Sequence, residues 1–278
     1  MKIDLHSHTY YSDGALSPKE LIDRAHNMQV DVLAITDHDT TAALPEALAY
    51  QAEQKRSMRI IPGIEFSTRW HGFDIHILGL NVDYQNAVFQ QRVAQQGERR
   101  ELRARQMAEK LAKAGIEDVY QQAKTLAGPG QLTRSHFARV LVKRNAVKDF
   151  EQAFKRYLGK GKRAFVTPAW PEISEAVEWI KEAGGEAVLA HPARYDITTK
   201  WLKRLLNDFT EAGGQGMEVS HPQLAADTRK LLGEYAKDYG LRASVGSDFH
   251  FPGRWTELGK NLSLADDLVP IWQHWNLA

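Results

Sequence analysis

Seven short runs rich in Val, Ile and Leu punctuate the chain: KIDLHSH at 2–8, DVLAITDH at 31–38, RIIPGIEFS at 59–67, FDIHILGL at 73–80, EAVLAHP at 186–192, GMEVSHP at 216–222 and RASVGSDFH at 242–250. Apolar runs of this length read as buried strands, and the helical stretches between them give the alternation of a parallel α/β protein. Six of the seven carry a histidine or an acid in or just after the strand: His6 and His8, Asp37 and His38, Glu65, His76, His191, and Asp248 with His250. The exception, GMEVSHP, offers His221 just beyond its end. Strands of a parallel sheet finish on one face, so these side chains, distant in sequence, are expected to meet in one place.

The helices carry their own punctuation. Ser17 and Pro18 open a helix that runs to Asn27, and Gly184 and Gly185 close one that begins at Pro171. About a hundred residues separate the fourth strand from the fifth, far more than one crossover helix needs. They read as an inserted helical subdomain: a long charged helix over 85–114, then helices near 117–126, 133–144 and 148–157, broken by Gly-Pro-Gly at 128–130. The division expected is a body of 1–97 and 164–278 with an insertion of 98–163. From Glu98 to Arg163 there are 17 Lys and Arg against 7 Asp and Glu, although the whole chain is only +1. A basic insertion thus sits in an acidic body, which suits phosphate on one side and cations on the other; solvated helix faces are the plainer explanation of the basic stretch.

The chain has no cysteine, so a metal could be held only by imidazole and carboxylate, which favours Mn, Fe, Mg or Zn. His6 and His8 lie two apart on a strand and point to the same side, able to grip one ion, with Asp13 following in a short turn. His38 stands between Asp37 and Asp39, one of which could orient its ring. Glu65 lies in an otherwise apolar strand, where an unpartnered acid is costly to bury and a bridging role between cations removes the cost. His76 and His191 sit in or directly after apolar strands, and Asp248 and His250 repeat the two-apart spacing. Any one of these could be an ordinary polar residue. The nine together exceed what a single ion accepts, so two or three ions are implied. Paired ions suit phosphoester hydrolysis, in which a shared water is activated and charge on the phosphoryl oxygens is neutralised. Arg134, Ser135 and His136 at a helix start, with Lys160 and Arg194, are candidates to hold substrate phosphates. His26, His71 and His274 have no motif around them. The start of the chain enters a strand directly and no apolar stretch approaches 18 residues, so a soluble, cytoplasmic protein is expected, with no membrane contact and no obligate protein partner.

The motifs DLHSHT, ITDHD, GIEFS, DIHILG, VLAHP and GSDFH, in this order, resemble the polymerase and histidinol phosphatase (PHP) superfamily over about 1–82 and 168–262. That resemblance implies a distorted (β/α)7 barrel. It also implies three ligand sets: His6, His8, Glu65 and Asp248; Glu65, His76 and His191, with Glu65 bridging; and Asp13, His38 and His250. The insertion bearing TRSHFAR and the following YLGKGK are similar to the bacterial branch that contains 3′,5′-nucleoside bisphosphate phosphatase and the 5′-to-3′ exonuclease ribonuclease AM. The branch implies Mn as the usual metal, with Zn or Fe as alternatives. Its substrates are 5′-phosphorylated nucleotides, such as adenosine 3′,5′-bisphosphate, or RNA or DNA 5′ ends hydrolysed at the 3′ oxygen. The expected nucleophile is a hydroxide bridging metals held by the ligands, Glu65 and Asp248 foremost, with the insertion roofing the site; no general acid is identified, though His221 is available. Competing readings are a histidinol-phosphate-type phosphatase, a C–N amidohydrolase, and a non-catalytic metal-stabilised module that binds nucleic acid or protein.

Overall fold

The structure, a computed structural model, describes residues 1–253 and 255–277. In chain order it contains β1 (Ile3–Asp4), α1 (Pro18–Asn27), β2 (Val32–Ile35), α2 (Leu44–Ala52), β3 (Arg59–Trp70), β4 (Phe73–Leu80), α3 (Ala87–Lys113), α4 (Val119–Ala127), α5 (Arg134–Lys143), α6 (Phe150–Ala153), α7 (Ile173–Glu182), β5 (Glu186–Leu189), α8 (Thr199–Glu211), β6 (Gly216–Ser220), α9 (Ala226–Asp238) and β7 (Arg242–Val245). All seven expected strands form, and they lie side by side in sequence order. The sheet curls until its edges meet. Leu5 N–H donates to Val245 O at 3.0 Å, His8 N–H to Phe249 O at 2.9 Å and Asp248 N–H to His6 O at 2.9 Å, giving an α/β barrel.

One strand runs against expectation. β4 is antiparallel to both β3 and β5, whereas the alternating pattern suggested a wholly parallel sheet. The cause is local: His71 and Gly72, with φ of 45° and 83°, make a two-residue turn, and a connection that short can join only antiparallel neighbours. His76 therefore lies mid-strand, paired with Ser67 near the far end of β3, and still reaches the same face as the other site residues.

Alternation does the sorting along these strands. Ile64 and Phe66 of β3, with Ile75 and Ile77 of β4, point outward into a core shared with Val177 and Ile180 of α7 and Phe209 of α8. Glu65, Ser67 and His76 consequently point inward. A second cluster inside the barrel joins Leu5, Val32, Ile61, Leu78, Val188 and Val245 from across the sheet.

Helices α3 to α6 and the wide turn over Phe154–Leu158 build a separate core from Ala104 to Val166, which includes Met107, Phe137, Leu141 and Leu158. The 97/98 boundary falls within α3, whose first turns bury Phe89 and Val93 against the barrel. Asp39, wholly buried, bonds Arg100 Nε at 2.6 Å and Gln96 Nε2 at 2.9 Å, tying α3 to the end of β2. At Gly130 a Cβ would stand 2.3 Å from Tyr10 O, so the break before α5 must lack a side chain to seat the insertion on the β1–α1 loop.

Candidate metal centre and adjoining cavity

At the barrel mouth His6 Nε2 and His8 Nε2 stand 3.1 Å apart. Asp248 Oδ1 lies 3.3 Å from the first and 3.1 Å from the second, and Glu65 Oε2 is 3.3 Å from each. These separations are the edges of a ligand shell, since bonds of about 2.1 Å around one ion set neighbouring donor atoms roughly 3.0–3.4 Å apart. Glu65 is shared. Its Oε1 is 2.7 Å from His76 Nδ1 and 3.0 Å from His191 Nε2, and its Oε2 is 3.0 Å from His38 Nδ1. Around Asp13 Oδ1 stand His250 Nε2 at 3.2 Å and His38 Nε2 at 3.7 Å, and His8 belongs to the same group. The nine residues thus meet in one place: eight fall in three overlapping groups, in which His38 rather than the expected His191 joins Glu65 and His76, and His191 adjoins them through Glu65.

The donors fit cations. Asp13 Oδ1, Glu65 Oε2, His38 Nδ1 and His191 Nδ1 are buried and make no hydrogen bond, an expensive condition for so many polar atoms unless something positive binds there. Burial alone would lower the His8 imidazole, but the facing carboxylates of Asp248 and Glu65 raise it to about 10. Burial likewise opposes charge on Asp13, Glu65 and Asp248, yet the facing imidazoles hold all three well below the usual carboxylate range. Positive charge facing them is what these three buried carboxylates require. The backbone is also bent to the purpose, with non-glycine left-handed φ of 29° at His191 and 52° at Asp248. Gly246 lets the last strand approach, because a Cβ there would fall 2.3 Å from His6 Cβ.

Outside the ligands lies a ring of orienting groups, most of them invisible in the sequence. Glu218, on β6, is the chief one: its Oε1 is 3.0 Å from His6 Nδ1 and its Oε2 accepts from His191 N–H at 2.6 Å. An acid inside the apolar run GMEVS was the available signal, of the same kind as Glu65. Asp37 does not orient His38. It accepts from Thr9 N–H at 2.7 Å and Ser12 Oγ at 2.6 Å, fixing the turn that carries Asp13. His221, beyond β6, has both ring nitrogens buried and unpartnered; burial and the nearby Arg194 lower it to about 4. His26 bonds Gln51 and His71 forms the β3–β4 turn, so neither joins the centre.

Beside the ligands opens a cavity of about 100 Å³, lined by Asp13, His38, Ser67, Asp74 and His76 from the barrel and by Arg100, Arg103, Arg134, Ser135, Phe154 and Trp170 from the insertion and the segment after it. Arg100 and Arg103 lie over the Trp170 ring at 5.2 and 5.4 Å, and Arg134 lies over Phe154 at 5.7 Å. Arg103 Nη2 is buried without a hydrogen bond, and burial together with Arg134 pushes its guanidinium down to about 9. Arg100 is already paired with Asp39, while Arg103 and Arg134 present two further guanidinium groups to the same space, an arrangement that suits an anion. Ser135 Oγ donates to Asp13 Oδ2 at 3.0 Å, linking this cavity to the ligands.

Of the five candidate phosphate contacts, Arg134 and Ser135 line the cavity, and two others are turned elsewhere. His136 is buried with Nδ1 accepting from Thr133 N–H at 3.2 Å, a helix cap. Lys160 Nζ donates to Gly72 O at 3.1 Å and lies over Phe73, fastening the insertion to the β3–β4 turn. Arg194 pairs with Asp248 Oδ2 at the metal centre.

A PHP domain match spans residues 4–187. The chain belongs to the PHP family. Within it, the chain is 48% identical over 272 residues to a Haemophilus influenzae 5′-3′ exoribonuclease, covering 98% of each. It is 42% identical over 270 residues to a Chromobacterium violaceum 3′,5′-nucleoside bisphosphate phosphatase, covering 97% of this chain and 93% of that one. A solved Chromobacterium violaceum chain described as an amidohydrolase, with sulfate bound and no metal, superposes with a TM-score of 0.90 at 41% identity, over 98% and 95% of the two chains. A Bifidobacterium adolescentis protein described as a metal-dependent phosphoesterase follows at 0.79 and 25%, over 98% and 93%. Among the described residues no helix is long and apolar enough to cross a membrane.

Proposed function

We propose that this PHP-family chain is a metal-dependent phosphoesterase that hydrolyses the 3′ phosphoester of 5′-phosphorylated nucleotides. With a terminal 3′ phosphate it acts as a 3′,5′-nucleoside bisphosphate phosphatase; with a continuing chain it acts as a 5′-to-3′ exonuclease. Either way the product is a 5′-mononucleotide. The observation that carries this reading is adjacency: the arginine-lined cavity shares Asp13, His38 and His76 with the ligand cluster. Two phosphates one nucleoside apart match that arrangement, and both named activities occur among relatives at 42–48% identity. Guanidinium groups beside the ligand cluster favour a phosphate ester over a C–N amide as substrate.

In this reading His6, His8, Glu65 and Asp248 hold one divalent ion, Glu65 with His76 and His191 a second, and Asp13, His38 and His250 a third, with Mn the preferred metal and Zn or Fe alternatives. Bound ions supply Lewis acidity toward the phosphoryl oxygens and lower the pKa of a water. The protein does the rest. Glu218 fixes the His6 ring from behind, Glu65 holds the sets in register, and Arg194 secures Asp248. Arg134, Arg103 and Ser135 receive the 5′ phosphate, and the insertion, 98–163, covers the centre on the side of this cavity. Enclosing the 5′ end sets the step at one nucleotide. The setting is the cytoplasm, and no protein partner is needed for this chemistry.

The test is hydrolysis of adenosine 3′,5′-bisphosphate beside a short 5′-phosphorylated RNA, each with and without its 5′ phosphate, by Mn-loaded protein with Asp248→Ala as control. Release of 5′-mononucleotide that requires the 5′ phosphate and disappears in the control is expected. Activity indifferent to the 5′ phosphate would replace this reading with a histidinol-type or general phosphatase.

A further inference from the structure

The cations of the insertion are not spread evenly. Between Glu151 and Glu172 the chain has no acid, and FKRYLGKGKR at 154–163 carries five cations: Lys155, Arg156, Lys160, Lys162 and Arg163. All five are exposed, while Tyr157, Leu158, Ala164 and Val166 of the same stretch are buried in the core of the insertion. The backbone is held in place: Gly159 N–H donates to Phe154 O at 2.8 Å, Ala164 N–H donates to Tyr157 O at 2.9 Å, and Gly161 turns the chain at a φ of 75°. Elsewhere cations of the insertion are neutralised at home, Arg105 and Lys124 by Glu101 and Arg100 by Asp39. Among the described residues Lys155, Arg156, Lys162 and Arg163 form no ion pair, and Arg156 lies over the neighbouring Tyr157 ring at 5.4 Å. Like charges held together in one fixed turn repel one another, a cost that a bound polyanion removes.

Position gives this strip its meaning. Phe154, where it starts, lines the cavity beside the ligands. Lys160 clasps Gly72 O at the tip of the hairpin whose Ser67, Asp74 and His76 line the same cavity. Lys155 and Arg156 follow Phe154 directly, and Lys162 and Arg163 lie within three residues of Lys160, so each Cα stands within about 11 Å of the cavity wall or of the hairpin tip.

We propose that segment 154–163 is the docking surface for the backbone of a single-stranded oligonucleotide substrate beyond its enclosed 5′ nucleotide, with Lys155, Arg156, Lys162 and Arg163 meeting its phosphates. A row of exposed cations that tracks the backbone is how single strands are held without regard to sequence. This rests on the proposed function, in which the cavity takes the 5′ nucleotide. A nucleoside bisphosphate ends before the strip, whereas a polynucleotide runs on to it and gains affinity. The strip thereby separates two substrate classes that the metal centre treats alike.

Binding separates this from catalysis. A 5′-phosphorylated decaribonucleotide, its first linkage a non-hydrolysable methylenephosphonate and its 3′ end labelled, is titrated with the Mn-loaded full chain from about 0.05 to 0.3 M salt, with adenosine 5′-monophosphate as the reference ligand. Lys155→Gln, Arg156→Gln, Lys162→Gln and Arg163→Gln combined should make the dependence of log Kd on log salt shallower by about 3 and weaken oligonucleotide binding at least about 10-fold at the lowest salt, with monophosphate affinity within about twofold of the parent. Exchanging Lys for Arg and Arg for Lys at the four positions, which keeps the charge, should preserve both slope and affinity. An unchanged slope in the neutralised chain, or an equal loss for the monophosphate, would overturn the proposal. Displacement of the oligonucleotide by polyglutamate as readily as by unlabelled RNA would also overturn it and assign the strip to an acidic protein. Should the parent bind as expected yet release no mononucleotide from either natural substrate, the docking surface stands and the proposed function falls.

Discussion

Glu218 Oε1 lies 3.0 Å from His6 Nδ1, on the side of the ring away from the nitrogen that faces the other ligands. A carboxylate in that position selects the tautomer with a lone pair on Nε2, raises its basicity and fixes the plane of the ring. Its other oxygen steadies the backbone of His191, so one buried acid serves two ligands. Glu218→Gln, which keeps the shape and removes the charge, should weaken metal binding by roughly 10–100-fold with the fold intact. Metal competition titrations beside a far-ultraviolet circular dichroism spectrum would check it; unchanged affinity would make Glu218 a packing residue.

Glu65 belongs to two of the ligand groups, as His8 and His38 do, and its replacement should be felt by more than one ion. Glu65→Gln is expected to lose at least one metal per chain by elemental analysis and to reduce kcat by on the order of 10³-fold, since the metals account for several kcal/mol of transition-state stabilisation. Loss of activity at full metal content would show that Glu65 acts on substrate instead.

Arg134 and Lys160 looked alike in sequence and are separated by the fold, one lining the cavity and the other clasping Gly72 O. Arg134→Met should raise KM for a 5′-phosphorylated substrate about 10–100-fold, the worth of a charge-assisted hydrogen bond, with metal content unchanged. Lys160→Met should change it less than about threefold, as expected for an exposed contact. Steady-state kinetics on one substrate with both variants decides; equal effects would refute the placement of the 5′ phosphate.

His136 predicts a pH dependence of stability. Burial lowers its folded pKa to about 4, and its Nδ1 must stay unprotonated to accept from Thr133. Between about 6.5 and 4 the unfolded chain therefore binds a proton that the folded one does not, so stability falls as pH falls through that window, by on the order of 2–3 kcal/mol at its foot. Denaturant titrations at pH 7 and pH 4.5 should show this loss. His136→Asn, which keeps a cap acceptor and cannot titrate, should flatten the slope; an unaltered slope would move its origin to other groups.

Much of the barrel was legible because its signals are local. Apolar runs mark strands, Ser17 with Glu20 closes a capping box at α1, and the candidate ligands other than Asp13, which lies in the turn after His8, stand in or beside strands whose ends share one face. That the long segment between β4 and β5 is helical was legible from its length, its charged helix and its Gly-Pro-Gly break. The direction of β4 was recoverable only from the His71–Gly72 turn, a two-residue feature that a strand count ignores.

What the sequence by itself determined is the chemistry of the centre: imidazole and carboxylate without thiolate, placed on successive strands of one sheet. What only the tertiary structure decided is which distant groups complete it. Glu218 reaches His6 across 212 positions, and Arg100, Arg103 and Trp170 line one cavity from a helix and a loop far apart in the chain. His136 and Lys160, which read as phosphate contacts, are turned to a cap and a clasp. An arginine on a helix looks the same in sequence whether it faces water or a cavity. The difference lies in how the insertion packs over the barrel, through Asp39 and Arg100 and through Gly130 against Tyr10, and that packing is a sum of long-range contacts with no short-range signature.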